Sequence, residues 1–329
     1  MKLRTLAAAA LFAAAGAGGQ AAAQQTIEVV LFAGTSAMPV YVAQDKGFFA
    51  REGLTVNVTP TPNSGFQMTN LISGKFHIAG TAIDNLIAYM EGQGTAKVDR
   101  EPDLITIMGL SSTELSLVAQ PDIKSIAELR GRDFALDSPS TGFAFVLRHM
   151  LEKNGLGPND YKFVPFGGTR ERLVALREKK AAAAMISEPF TTQARQEGFA
   201  ILGEGVSTVG PYQANVQIAN RPWAKQNEEA VVKYIRALLS AIDWIYDPAN
   251  RAESVKILAA NAKIPESAAA PSVAGLTSGQ AAVDRKGQLN MEGLRNVIAL
   301  REKYGQPQKK MGAPEKYYDP TWYNRAIAR

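Results

Sequence analysis

Cysteine is absent from this chain of 329 residues. Its absence excludes disulfides, thiolate metal sites, a cysteine nucleophile and a lipid-modified cysteine near the N-terminus. Histidine is nearly absent, with only His77 and His149. Two isolated histidines do not provide the cluster a metal site needs. No H-E-x-x-H, G-x-S-x-G, phosphate-loop or dinucleotide fingerprint occurs. A carboxylate pair from Glu114 and Glu188 is conceivable for acid–base work, but nothing in the sequence places the two together. The expectation is therefore no cofactor, no metal and no enzymatic activity. Long basic runs are also missing, the longest being two residues. The net charge of +5 and the pI near 9.2 consequently do not read as nucleic-acid binding. A mildly basic surface still helps to attract anionic solutes.

What is present starts with residues 1–23. Lys2 and Arg4 precede an apolar run from Leu6 to Ala15, and Ala21-Ala22-Ala23 offers a small-residue cleavage site. This pattern is that of a cleavable secretory signal peptide, with cleavage after Ala23. The run falls short of the ~20 apolar residues of a membrane span. Nothing later in the chain is long and apolar enough to span a bilayer. The mature part is expected to be free in the periplasm.

The rest reads as a layout used twice. Ile27 to Phe32 is an apolar strand, followed by the small-residue loop Ala33 to Ala37. Met38 to Glu52 reads as one helix with Pro39 in its first turn, and Leu54 to Val58 as the second strand. Phe66 to Ser73 is a short helix and Phe76 to Ala79 a third strand. Asp84 is placed to cap a helix from Asn85 to Glu91. The second round runs through the strand Phe134 to Leu136 and the helix Thr141 to Asn154. In that helix Phe143, Val146, Leu147, Met150 and Leu151 share a face. The strand Tyr161 to Pro165, the helix Arg170 to Lys180 and the strand Ala181 to Ile186 complete it. Glu114 to Ala119 and Ala214 to Ala219 bracket this second unit as a two-stranded hinge. Helices are expected over Pro222 to Tyr246, Arg251 to Ala260 and Met291 to Lys303. The expected division is residues 24–113 with 214–329 as one lobe and 114–213 as the other. Ligands of open α/β sheets bind at the C-terminal ends of the strands, so two facing lobes make a cleft.

Several segments resemble periplasmic solute-binding proteins of ABC importers, of the nitrate, sulfonate, taurine and thiamine-precursor type. They are Tyr41-Val-Ala-Gln-Asp-Lys-Gly-Phe-Phe-Ala-Arg-Glu-Gly-Leu54, Leu71-Ile-Ser-Gly-Lys-Phe-His-Ile-Ala79 and Ser125-Ile-Ala-Glu-Leu-Arg-Gly131. Ser138-Pro-Ser-Thr-Gly142, Ala175-Leu-Arg-Glu-Lys-Lys-Ala181 and Tyr318-Asp-Pro320 continue the match in order. His77 stands where that family often has an acidic residue, and the change reads as structural. The resemblance implies a type II-like two-lobed periplasmic binding protein, with two mixed-sheet α/β lobes joined by a two-stranded hinge. It implies a monomer that hands a small solute to a permease in the inner membrane. A sensor subunit docking on a membrane kinase would look the same in sequence. A pyrimidine-synthesising enzyme branch of the superfamily relies on cysteine-rich and histidine features that this chain lacks.

The candidate ligand residues lie on the six loops at the strand ends. Ser138, Ser140, Thr141 and Phe143 open a helix, where free N–H groups and the helix dipole favour an anion. Simple capping accounts for the same residues, and the family pattern tips the reading towards a ligand. Arg170 offers a bidentate partner for a carboxylate or sulfonate, or is a surface arginine beside Glu171. Thr35, Ser36 and Met38 occupy the first loop, Ser64 and Phe66 the second, and Thr81, Asp84 and Asn85 the third. Glu114 and Glu188 lie near the hinge and the cleft mouth, for a ligand N–H or for contacts between lobes. Of Phe32, Phe66, Phe143 and Phe166, about half are expected to line the cleft and the rest to pack in the core. The loops are expected to face each other in order: Thr35–Met38 with Ser138–Phe143, Ser64–Phe66 with Gly167–Arg170, and Thr81–Asn85 with Ser187–Pro189. The solute these residues suit is a small organic anion: a sulfonate, a carboxylate or a pyrimidine or aromatic body.

Overall fold

The computed structural model describes residues 24–112, 115–279 and 282–328. The expected signal peptide and Glu114 lie outside the described residues. Ten strands form two five-stranded sheets. They are β1 (Gln25–Leu31), β2 (Leu54–Pro60), β3 (Ile78–Ala82), β4 (Leu104–Ser111), β5 (Leu115–Ala119), β6 (Arg132–Leu136), β7 (Tyr161–Pro165), β8 (Ala183–Ser187), β9 (Ala200–Glu204) and β10 (Asn215–Asn220). The first sheet has the order β2-β1-β3-β10-β4 and the second β7-β6-β8-β5-β9.

The two sheets have the same design. In each, a central strand runs parallel to its neighbours, β1 to β2 and β3, and β6 to β7 and β8. In each, the fourth strand runs antiparallel: β10 against β3 and β4, and β5 against β8 and β9. Central strands covered on both faces need apolar residues at every position. Accordingly Val29 and Val30, which point to opposite faces, are both fully buried. All eight residues of β4 are buried as well.

β4 and β9 are additions to the strands expected from the sequence, and each forms the edge beside its sheet's antiparallel strand. The two bracketing strands, β5 and β10, lie in different sheets. The chain thus crosses between lobes twice, once between β4 and β5 and once between β9 and β10. The helix expected over Met38 to Glu52 is two helices, Met38–Asp45 and Phe48–Arg51. Gly47 separates them at φ +69°, a conformation glycine adopts without steric cost. The long helix expected from Pro222 is likewise broken at Asn227, giving Arg221–Gln226 and Glu228–Tyr246. The latter packs on the Met38–Asp45 helix and on Thr321–Ile327 near the C-terminus, so the tail covers the first lobe.

His77 is structural. Its ring stacks on Trp223 at 4.5 Å, and its Nδ1 accepts from the Glu28 N–H at 3.1 Å. Burial lowers its pKa, which keeps Nδ1 available as an acceptor, while nearby Glu28 opposes the shift.

Candidate functional site

The C-terminal ends of β1, β3, β6 and β8 converge on one cavity between the lobes, of about 90 Å³. The first lobe contributes Phe32 to Ser36, Gly80 to Ala82, Asp84, Asn85, Ser111 and Ser112. The second contributes Asp137, Thr141 to Phe143, Gly168, Thr169, Arg172, Ser187 and Glu188.

Hydrogen bonds close the lobes around this space. Thr35 Oγ1 donates to the Glu188 carbonyl at 3.1 Å, and the Gly168 N–H to the Pro62 carbonyl at 3.0 Å. Three cavity carboxylates also bridge the lobes. Asp84 Oδ2 accepts from the Gly142 N–H at 2.6 Å. Asp137 accepts from the Ser64 N–H at 3.1 and 3.3 Å through its two oxygens. Glu188 Oε2 accepts from Ser272 Oγ at 2.9 Å, and its Oε1 from Thr192 Oγ1 at 3.0 Å. The loops therefore do not face each other in sequence order. The first loop meets Glu188 and the third meets Gly142, the reverse of the expected pairing, while the second meets Gly168 as expected and Asp137 besides. How one sheet is rotated against the other sets this pairing, and residue periodicity carries no trace of that rotation.

Of the candidate residues, Thr35, Ser36, Thr81, Asp84, Asn85, Thr141, Phe143 and Glu188 line the cavity. Met38 does not; it is fully buried in the core. Ser64 is buried with its backbone spent on Asp137. Phe66 packs on Phe76, with ring centroids 6.4 Å apart. Ser138 and Ser140 turn to each other, their hydroxyls 3.2 Å apart. Phe32 and Phe143 line the cavity, whereas Phe66 and Phe166 pack against the core.

Two candidate roles change. Asp84 is not the cap of its helix, which runs from Ile83 to Met90 with Ala82 at the N-cap. Its carboxylate pairs bidentately with Arg301, at 2.7 Å from Nε and 2.8 Å from Nη2. Arg170 lies outside the cavity lining. Its Nη2 donates to the Ala262 carbonyl at 2.7 Å and its guanidinium lies 5.8 Å from the Phe190 ring centre. The arginine in the cavity is Arg172, only 3% exposed. Its Nε donates to the Gly167 carbonyl at 2.9 Å and its Nη1 to the Met185 carbonyl at 2.7 Å. Its Nη2 has no hydrogen-bond partner among the described residues. Burial pulls its pKa down, while Asp137 and Glu171 act in the opposite direction.

Both Arg172 and Arg301 carry a signal visible in the sequence. Arg172 falls four residues before Leu176 and beside Leu173, on the buried stripe of the Thr169–Arg177 helix. Arg301 falls four residues after Val297 and seven after Leu294 in Met291–Tyr304. A charge that interrupts an apolar stripe has to be paired inside the protein. Among the described residues, no group of three or more His, Asp or Glu side chains is arranged to hold a metal ion. No helix among them is long and apolar enough to cross a membrane.

Known proteins match this architecture. The nitrate-binding protein NrtA from Synechocystis PCC 6803 superposes with a TM-score of 0.78 at 16% identity, over 92% of this chain and 88% of that one. The alkanesulfonate-binding protein SsuA from Xanthomonas axonopodis pv. citri, bound to MOPS, gives 0.72 at 16% identity, over 91% and 99%. These likenesses establish a two-lobed periplasmic binding protein fold. In sequence, YtlA of Bacillus subtilis (strain 168) is 27% identical over 215 residues, which are 63% of this chain and 62% of YtlA. This chain thus spans less than two thirds of that relative's length. Residues 34–252 match the NMT1/THI5-like family along most of both lobes, and the chain belongs to that family.

Proposed function

We propose that this protein is the periplasmic substrate-binding component of an ABC importer. It takes a small organic solute with one anionic end into the interlobe cavity and delivers it to a membrane permease. The observation that carries this reading is Arg172: a buried guanidinium on the cavity wall with one donor nitrogen left over. An arriving carboxylate or sulfonate gains a charge-assisted hydrogen bond from it. Thr169 and Ser187 stand beside it on the same wall, and Phe32 and Phe143 give the remaining body of the solute apolar surface.

The names of the relatives support a small anion. Besides the nitrate and alkanesulfonate proteins, a bicarbonate-binding protein, CmpA of Synechococcus elongatus, is 22% identical over 246 residues. The cavity here has room for a solute larger than nitrate or bicarbonate. Residues 1–23 support export, and residues 24–113 with 214–329 against 114–213 are the proposed lobes, moving by hinge closure. We take the protein as a binder without catalysis, since the cavity carboxylates are engaged in hydrogen bonds, and as a monomer.

A thermal-shift screen of sulfonates, short carboxylates, aromatic acids and pyrimidines tests the reading. A bound solute at 100 times its Kd adds ~2.7 kcal/mol of stability. Arg172→Gln should abolish the shift from any anionic hit. A screen without hits, or a hit untouched by Arg172→Gln, rejects it.

A further inference from the structure

The helix Gly142–Lys153 points its N-terminus at the cavity, and an anion already sits there. Its N-cap, Thr141, makes no side-chain cap bond. The Thr141 hydroxyl instead donates back to the Ser138 carbonyl at 3.0 Å. The first helical N–H, on Gly142, is taken by Asp84 Oδ2 from the other lobe, at 2.6 Å. Asp84 is held from behind by Arg301, which is 0% exposed. Arg301 spends its other donors on Gln93 Oε1 at 3.0 Å and the Ser140 carbonyl at 2.9 Å. It also lies 4.9 Å from the Phe145 ring centre. The fit is tight, since a Cβ on Gly142 would come within 2.4 Å of Tyr212 Oη and 2.6 Å of Asp84 Cγ. That Tyr212 hydroxyl is buried and has no hydrogen-bond partner among the described residues.

We propose that Asp84 determines specificity by acting as a built-in anion. Its carboxylate, with Arg301 as counter-ion, fills the oxyanion position at the N-terminus of the Gly142–Lys153 helix. This selectivity rests on the binding function proposed above. The cavity then has two unlike ends. Arg172 has a donor to give, and Asp84 presents negative charge whose favourable partners are already in place. A solute with a single anionic group fits, anionic end at Arg172 and a neutral or hydrogen-bond-donating end towards Asp84. A solute with anionic groups at both ends is rejected, because like charges at close range repel in a site of low dielectric.

Removing the built-in anion should create an anion site. In Asp84→Ala, Arg301, the Gly142 N–H and the Tyr212 hydroxyl surround the space the carboxylate left. Formate, acetate and methanesulfonate are the probes, at constant ionic strength, in an Arg172→Gln background that silences the other end. Asp84→Ala should melt lower than its parent and regain stability saturably with each probe. Its affinity should exceed the parent's by about tenfold or more, the size of one charge-assisted hydrogen bond. Asp84→Ala with Arg301→Met should lose that response. If Asp84→Ala does not fold, Asp84→Ser opens the same space with a small polar side chain, leaves the Arg301 charge uncompensated, and should show the same gain by calorimetry. No gain in either variant, or an equal response from the parent, overturns the proposal. The probes are not the natural solute, so this series and the solute screen fail separately.

Discussion

Two arginines are buried at this cleft, and they are used in opposite ways. Arg301 has a partner at every nitrogen: Nε and Nη2 grip Asp84, Nη1 donates to Gln93, and Nη2 also reaches Ser140 in the other lobe. Arg172 is left incomplete, with two carbonyl partners and a spare nitrogen. A guanidinium engaged at every nitrogen is committed to holding structure together. One that lines the cavity with a nitrogen still open to it is prepared for something that arrives later. The degree of saturation, more than burial or charge, separates the arginine that closes the lobes from the one proposed to receive the solute.

The largest expected effect breaks this contrast at the saturated end. Arg301→Met strands the Asp84 carboxylate without its counter-ion in a buried site. Breaking such a pair by removing one partner costs about 3–5 kcal/mol. Arg172→Met removes two hydrogen bonds to carbonyls and strands no fixed pair, so ~1–3 kcal/mol is expected. Urea denaturation of both variants measures the difference. Equal losses would mean that the two arginines do the same structural job.

A smaller effect is expected from Gly142→Ala. The added methyl has no room between Tyr212 and Asp84. Overpacking of this kind costs ~1–3 kcal/mol, and here the strain can be relieved by parting the lobes. Small-angle scattering of the unliganded protein should therefore give a larger radius of gyration for Gly142→Ala than for the parent. Arg172→Gln should leave the scattering curve unchanged. An opened Arg172→Gln, or a closed and fully stable Gly142→Ala, would erase the division between a closing end and a receiving end.

Much of the fold could be read from the sequence because it is local. The strand-loop-helix rounds announce themselves through apolar periodicity and through glycines such as Gly53, Gly74 and Gly155, each at positive φ behind a helix. The features that were missed depend on distant partners or on one backbone angle. β4 is plainly apolar in Leu104–Ser111, but its place beside β10 is a pairing across more than a hundred residues. The break at Gly47 depends on one left-handed residue inside an otherwise helical pattern. For the site, the hydroxyls at the strand ends, Thr35, Ser36, Thr81 and Thr141, line the cavity. Asp84 lines it as well, but its partner Arg301 lies 217 residues further on, beyond the reach of any local pattern. The loop after β7 suggested Arg170 because it comes first after two glycines. Two residues along a helix turn the side chain by about 200°, so Arg170 and Arg172 leave the same helix on opposite sides.

That difference yields the smallest expected effect and the finest test of the comparison. Arg170 makes one hydrogen bond, to the Ala262 carbonyl, from a part-buried position outside the cavity lining. Removing it should cost only ~1 kcal/mol of stability, the net worth of a single hydrogen bond. It should leave the affinity for a bound anion within about twofold, because the 0.4 kcal/mol this represents is less than any lost charge-assisted contact. Titration of Arg170→Ala beside Arg172→Gln with the same solute decides which arginine the anion meets. Retained binding in the first and loss in the second places the anion on the buried stripe of the helix. The opposite result would move it to the helix start, where Arg170 would have to leave Ala262 to reach it.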